Sequence, residues 1–157
     1  MIDALDRLRM LCVADVMTRN VVTLSSQQSM LDVARKFVEH DVVAAPVIDE
    51  SGRCVGFFSA ADFLRRELKL RQQADAGSET AAAAAASAAP VSRFMSGTVQ
   101  SLLPGEPLVK AARMMCEQHL HRVPIVNDDG RVVGIVSTMD IVAALVNAID
   151  EMEVRRP

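Results

Sequence analysis

The sequence predicts an α/β (α+β) chain made of one unit used twice, each copy running β-α-β-β-α. Three observations carry this. The first is self-similarity. A shift of 78 positions takes Met17 to Met95, Pro46 to Pro124, Gly52 to Gly130, Arg53 to Arg131, Gly56 to Gly134 and Asp62 to Asp140. No gap is needed between Val13–Leu64 and Val91–Val142, and two copies are too few for a solenoid. The second is a strand-to-helix junction found in both copies, Gly56–Asp62 and Gly134–Asp140. There an apolar run meets a hydroxyl and a carboxylate at a helix start. The third is size. A unit of about fifty residues is hard to stabilise alone, so the two copies are expected to bury a face against each other.

The elements follow in order. Ile2, Leu5, Leu8 and Leu11 share one face and predict a helix over residues 2–11. Residues 13–18 lead into a short strand, Val21 to Leu24. Ser29-Met30-Leu31-Asp32 is a capping-box pattern opening a helix to about His40, with Leu31, Ala34, Phe37 and Val38 as its apolar stripe. Val42 to Ile48 reads as a strand, although Pro46 inside it implies an edge, a bulge or a strand end. Asp49–Gly52 is a turn. Arg53 to Phe58 is the next strand, and Ser59 opens a helix to about Gln73. The second copy repeats this, its first helix opening at Glu106-Pro107. Its turn is Asn127–Gly130 and its last helix runs from Thr138 to Met152. Between the copies, the alanine run Ala81–Ala86 is either a loose helix or a disordered linker.

Composition narrows the function. The 157 residues are half hydrophobic, enough for one compact domain of two halves. A net charge of −3 and the absence of Trp and Tyr argue against nucleic acid. No apolar run approaches the ~18 residues of a membrane span. The first residues lack the basic and apolar regions of a signal peptide. Cys12, Cys54 and Cys116 are odd in number and suit three small core residues in a reducing cytoplasm. A cytoplasmic protein with no membrane association is expected. No nucleophile–base pair or glycine-rich phosphate loop is visible, so no enzyme activity and no catalytic residue are expected. His119 and His121 make half a zinc site at best, so no metal site is expected.

These residues resemble a pair of CBS domains, named after cystathionine β-synthase. The resemblance is carried by Asp15-Val16-Met17-Thr18, Ala45-Pro46-Val47-Ile48-Asp49 and Gly56–Asp62. In the second copy it is carried by Phe94-Met95-Ser96, His121–Val126 and Gly134–Asp140. It divides the chain into an N-terminal helix (1–12), a first repeat (13–76), an alanine-rich linker (77–90) and a second repeat with the C-terminal helix (91–157). It implies a three-stranded sheet in each repeat and the two repeats packed sheet to sheet with pseudo-two-fold symmetry. It also implies homodimers, and clefts between the repeats for AMP, ADP, ATP or S-adenosylmethionine, with an unknown protein partner receiving the signal.

The chemistry of the junctions suits such a ligand. A carboxylate at a helix start accepts from ribose hydroxyls, while the free N–H groups of that start face phosphate. The resemblance assigns Asp140, Ser137 and Thr138, and likewise Asp62 and Ser59, to the ribose. Ser-x-x-Asp is equally a helix cap, and both roles stay open. Arg122 and His121 are candidates for phosphate, and the first copy has Val43-Ala44 in their place. The resemblance assigns the adenine to the segments from Thr18 through Val21 to Thr23 and from Ser96 through Val99 to Ser101. Val47 and Ile125 are the remaining apolar wall, or plain core. Two functions remain open: a stand-alone adenine-nucleotide sensor, or a homodimerisation and protein-interaction module with unoccupied clefts.

Overall fold

The computed structural model describes residues 4–73 and 79–153. Seven α-helices, one short 3-10 helix (Val91–Arg93) and five strands are formed among them, a mixed α/β arrangement with small sheets. The chain divides into two compact units that do not coincide with the two sequence copies. One is Met1–Val21 with Gln100–Pro157, and the other is Val22–Val99. Each repeat therefore sends its leading segment into the unit built by the other.

In the second unit, β1 (Leu24–Ser25), β2 (Ala44–Ile48) and β3 (Cys54–Ser59) form a three-stranded sheet, β1 parallel and β3 antiparallel to β2. Helices α3 (Met30–Glu39), α4 (Ala60–Gln73) and α5 (Glu79–Ala88) pack in the same unit. Ser29 caps α3 as its pattern predicts. The Asp32 N–H donates to Ser29 Oγ at 3.1 Å, and the Ser29 hydroxyl donates to the Asp32 carboxylate at 2.6 Å. The core joins Leu24, Met30, Val33, Val47 and Phe58 to Val91, with Phe94 and Met95 packed against it.

The first unit repeats the plan. Helices α1 (Ala4–Met10) and α2 (Val13–Val16) come from the start of the chain. The rest is α6 (Leu108–Gln118), β4 (Arg122–Val126), β5 (Val132–Ser137) and α7 (Thr138–Glu153). Pro107 is the N-cap of α6 rather than its first residue. Here the expected third strand shrinks to a single parallel bridge from Leu102 to Ile125.

The prolines explain why these leading strands are so short. The Leu102 N–H donates to Pro124 C=O, and the Val126 N–H donates to Leu102 C=O. The next rung toward the N-terminus needs an N–H at position 124, which proline lacks. Pairing stops there, and in the first copy it stops at Leu24 opposite β2 with Pro46. The expected strand from Val21 is therefore not formed. On the other side Pro124 faces Ile135, whose N–H and C=O both turn outward to Thr18, so no ladder bond is lost. β2 is thus an inner strand with a proline in it, with a register shift at Val47/Ile48.

The alanine run lies in a helix, α5. It stands at the same place before its copy as α1 does, and each leans on the two long helices of its own unit. The cysteines are free and none is fully buried: Cys116 is exposed, while Cys12 and Cys54 are half-buried. The core expectation fails for all three. Cys12 instead opens α2, its N–H and thiol both donating to Asp15 Oδ2 at 2.8 and 3.1 Å.

Candidate functional site

The leading segment of each copy docks on the outer edge of the other copy's hairpin. Thr18 and Ile135 exchange both backbone hydrogen bonds, at 2.9 and 3.0 Å, and Ser96 and Phe57 do the same at 2.9 and 3.0 Å. The glycines make this possible. A Cβ on Gly134 would collide with the Met17 thioether, and one on Gly56 with that of Met95. The Met/Gly identities of the repeat are therefore one packing device used twice.

At the end of each hairpin the Ser-x-x-Asp junction forms a complete capping box. The Ser137 N–H and hydroxyl donate to Asp140 Oδ2 at 2.6 and 2.7 Å, and the Asp140 N–H donates to Ser137 Oγ at 3.2 Å. Ser59 and Asp62 make the same three bonds, at 2.9, 2.7 and 3.3 Å. Each helix start is also tied to the preceding strand. The Thr138 N–H donates to His121 C=O at 3.0 Å, and the Ala60 N–H to Val43 C=O at 2.8 Å.

The two junctions differ in what remains free. Asp62 Oδ1 accepts from Arg65 Nη1 at 2.9 Å. Asp140 has Ala143 at the corresponding place, and among the described residues its Oδ1 has no partner. Arg122 pairs with Ser137 in the β4–β5 register, so the two side chains leave the sheet on the same face. It is half-buried and makes no ion pair among the described residues, and His121 is exposed beside it. Ala44 stands opposite Ser59 in the other copy. One junction thus joins a carboxylate oxygen, two hydroxyl residues and an unpaired cation, while the other has its carboxylate engaged and no cation on its strand.

The other candidates sort by unit. Thr18, Val21 and Ser101 fall in the first unit with Asp140, and Thr23, Ser96 and Val99 in the second with Asp62. The backbone groups of Thr18 and Ser96 are used by the edge pairing. Val21 and Val99 lie beyond the rung that the prolines abolish, and among the described residues their backbone groups have no partner. Val47 and Ile125 are fully buried inside the two cores. They are core residues here, not walls open to a ligand. His119 takes a left-handed conformation as the C-cap of α6, φ 55°, so the extended His119–His121 arrangement does not form. No group of three metal-ligating side chains occurs among the described residues, and no helix among them is long and apolar enough to cross a membrane.

Two features lay outside the sequence reading. The first is Arg65, visible as the i+3 cation after Asp62. The second is the role of Asp15, which the sequence showed only as part of the Asp15–Thr18 motif and which completes the Cys12 cap; hydrogen bonds from Cys12, aided by the charge of Arg19, hold its carboxyl below the usual 3.8.

Comparison with known proteins gives the family model described as CBS domain at residues 13–69 and 91–147. The CBS domain-containing protein YhcV of Bacillus subtilis is 33% identical over 129 residues, covering 82% of this chain and 81% of that one. A crystal structure of CBSX2 in complex with AMP is similar, with a TM-score of 0.72 and 26% identity over 87% of this chain and 96% of that chain. So is the CBS domain pair of protein MJ0100 in complex with 5′-methylthioadenosine and S-adenosyl-L-methionine, with a TM-score of 0.69 and 25% identity over 87% and 97%. Several other curated relatives are much longer. The chain matches a homoserine O-acetyltransferase of Methanococcoides burtonii at 28% identity over 82% of its own length, spanning only 23% of that protein.

Proposed function

The chain belongs to the CBS domain family, and on that premise we propose that it is a regulatory module binding an adenosine-containing ligand, AMP, ADP or ATP before S-adenosylmethionine. The observation that carries this is the first-unit junction, where the free oxygen of Asp140 and the unpaired Arg122 converge on one helix start. Asp140, with Ser137 and Thr138, takes the ribose hydroxyls. Arg122 and His121 take phosphate, which also meets the free N–H groups opening α7. The unpaired backbone at Val21 faces the base. Phosphate contact is what favours a nucleotide over S-adenosylmethionine. The Asp62 junction binds more weakly, because Arg65 competes for its carboxylate and no cation stands on β2. The module is regulatory rather than catalytic, and its output passes to a protein partner.

Thermal unfolding tests this. A ligand at about a hundred times its Kd stabilises the folded state by roughly 2.7 kcal/mol, which raises Tm by roughly 5–10 °C. We expect that rise with one adenine nucleotide, its loss in Asp140→Ala and its weakening in Arg122→Ala. No rise with AMP, ADP, ATP or S-adenosylmethionine would sink the reading.

A specific observation supports a second, compatible reading, homodimerisation. Met139, Val142, Val146 and Ile149 are exposed along α7, and Leu64 and Leu68 are exposed at the matching positions of α4. Arg65, Lys69 and Arg71 outnumber Asp62 and Glu67 on α4, whereas α7 carries acids and no base. Apolar stripes of opposite charge suit α4 of one copy against α7 of a second copy. Sedimentation should give a dimer that Leu64→Glu with Val142→Glu turns into a monomer. An unchanged mass in that variant would exclude these helices.

A further inference from the structure

Helices α1, α2 and α7 of the first unit line an open cavity of about 460 Å³. Leu11, Val16 and Ala144 give it an apolar lining, and Arg7, Asp15 and Glu151 stand around it. It lies within one unit, away from the Ser137–Asp140 junction at the other end of α7's sequence. A volume of this size is ordinary for a small-molecule site.

The internal repeat shows what such a space can hold. The counterparts of Val16 and Ala144, one repeat on, are Phe94 and Arg66. Arg66 is only 5% exposed. Its guanidinium carbon lies 4.8 Å from the centre of the Phe94 ring and 5.7 Å from that of Phe63. Nη1 donates to Glu67 at 2.6 Å, while among the described residues Nε and Nη2 have no partner. The second unit thus fills its version of the space with a cation lying on aromatic faces. In the first unit alanine and valine vacate that volume.

The charge around the space is inverted as well. Arg93 of the second unit corresponds to Asp15 in the first. Arg7 and Glu151 form an ion pair with each other. Asp15 spends only Oδ2, on the Cys12 N–H and thiol, and among the described residues Oδ1 has no partner. Its carboxyl is held ionised by those hydrogen bonds and by Arg19, whose own Nη2 donates to Ala14 C=O. An apolar cavity with a carboxylate oxygen left free, in the place where the sister unit buries a guanidinium, has a definite complement.

We propose that this cavity is a binding site, separate from the nucleotide junction, for a small organic cation: an amidinium or guanidinium carried on a flat apolar body. The apolar body replaces the missing Arg66 stem and Phe94 ring, and the cationic head faces Asp15 with a bidentate fork available to its carboxylate.

Benzamidine is the probe, with benzoate and benzyl alcohol as anionic and neutral controls of similar shape. In ¹⁵N-resolved NMR titrations of the full chain, benzamidine should give saturable shifts at Val16, Ala144 and Asn147 in the millimolar range or tighter. The controls should bind at least tenfold more weakly. Ala144→Leu fills the cavity and should abolish the shifts, while leaving the Tm rise given by adenine nucleotide intact. Asp15→Asn keeps the Cys12 cap and should weaken benzamidine about tenfold, whatever Ala144→Leu does to folding. Absence of saturable shifts, equal binding of benzoate, or benzamidine binding unchanged in Asp15→Asn would overturn the proposal. None of these outcomes depends on the nucleotide reading.

Discussion

Asp62 and Asp140 share one local geometry and differ in two neighbours, Arg65 and Arg122, which separates structural from ligand roles by mutation. Each carboxylate satisfies its helix start, so alanine at either position should cost about 1 kcal/mol of stability, as loss of an N-cap partner does. Calorimetric midpoints should fall by similar amounts in the two variants, while only Asp140→Ala should lose the nucleotide-induced rise. Equal loss of that rise in both would remove the distinction drawn from Arg65 and Arg122. A second residue-scale pair is Asp49 and Asn127, which organise the two hairpin turns. Asp49 Oδ1 accepts from the Ser51 hydroxyl and the N–H groups of Ser51 and Arg53, and Asn127 Oδ1 accepts from the N–H groups of Asp129 and Arg131. The Ser51 hydroxyl, then the Arg53 N–H, hold the Asp49 carboxyl below its usual 3.8. A carboxyl lowered in the folded state adds stability above its unfolded pKa, and that stability is lost as pH falls through the folded one. Asp49→Asn should therefore keep the turn, as Asn127 does, and remove part of the loss of Tm below pH 4. Circular dichroism melts of both proteins between pH 6 and pH 2.5 would show the gap between them closing on acidification. A constant gap would mean that Asp49 does not contribute to the acid transition.

Among the elements, the repeat, both junction caps, the α3 cap and the two turns were legible in sequence because each is a local pattern of a few residues. Three features were not. The helix α5 shares almost nothing with α1 except its place before a copy, so the identities that revealed the repeat are silent there. The short β1 depends on a proline twenty-two residues away, and strand periodicity carries no record of a missing rung. The exchange of leading segments rests on Met17 against Gly134 and Met95 against Gly56. All four residues were visible as repeated identities, but identity does not say which pairs touch. This contact makes its own prediction. Gly134→Ala drives a methyl into the Met17 thioether and should cost about 1–3 kcal/mol, the range for overpacking a filled site. Met17→Ala makes room, so the double variant should be more stable than the sum of the single losses predicts. Additive losses in urea denaturation would show that the two residues are not coupled.

At the scale of the molecule, family membership came from the sequence motifs, whereas the partition of the chain did not. The repeats run 13–69 and 91–147 by family match, yet the compact units are 22–99 and its complement. The physical reason is that a repeat lacks its own hairpin's outer neighbour. Phe57 has its outward N–H and C=O satisfied by Ser96, and the core of the second unit includes Val91, with Phe94 and Met95 packed against it. A fragment holding residues 13–76, the first repeat as the sequence defines it, loses all four of these residues. It also carries Val13 and Met17, which pack in the other unit's core. A fragment holding residues 22–99 keeps α5, the Ser96 pairing and every residue of its core in one continuous stretch. We therefore expect the 22–99 fragment to unfold cooperatively in urea with dispersed amide resonances, and the 13–76 fragment to show a shallow transition and exposed apolar surface. Adding the peptide 88–99 in trans to 13–76 should recover part of the structure, and a Gly56→Val change should block that recovery by obstructing Met95. A cooperative 13–76 fragment, indifferent to the peptide, would show that each sequence repeat is itself the folding unit and that the exchanged segment is only a late addition.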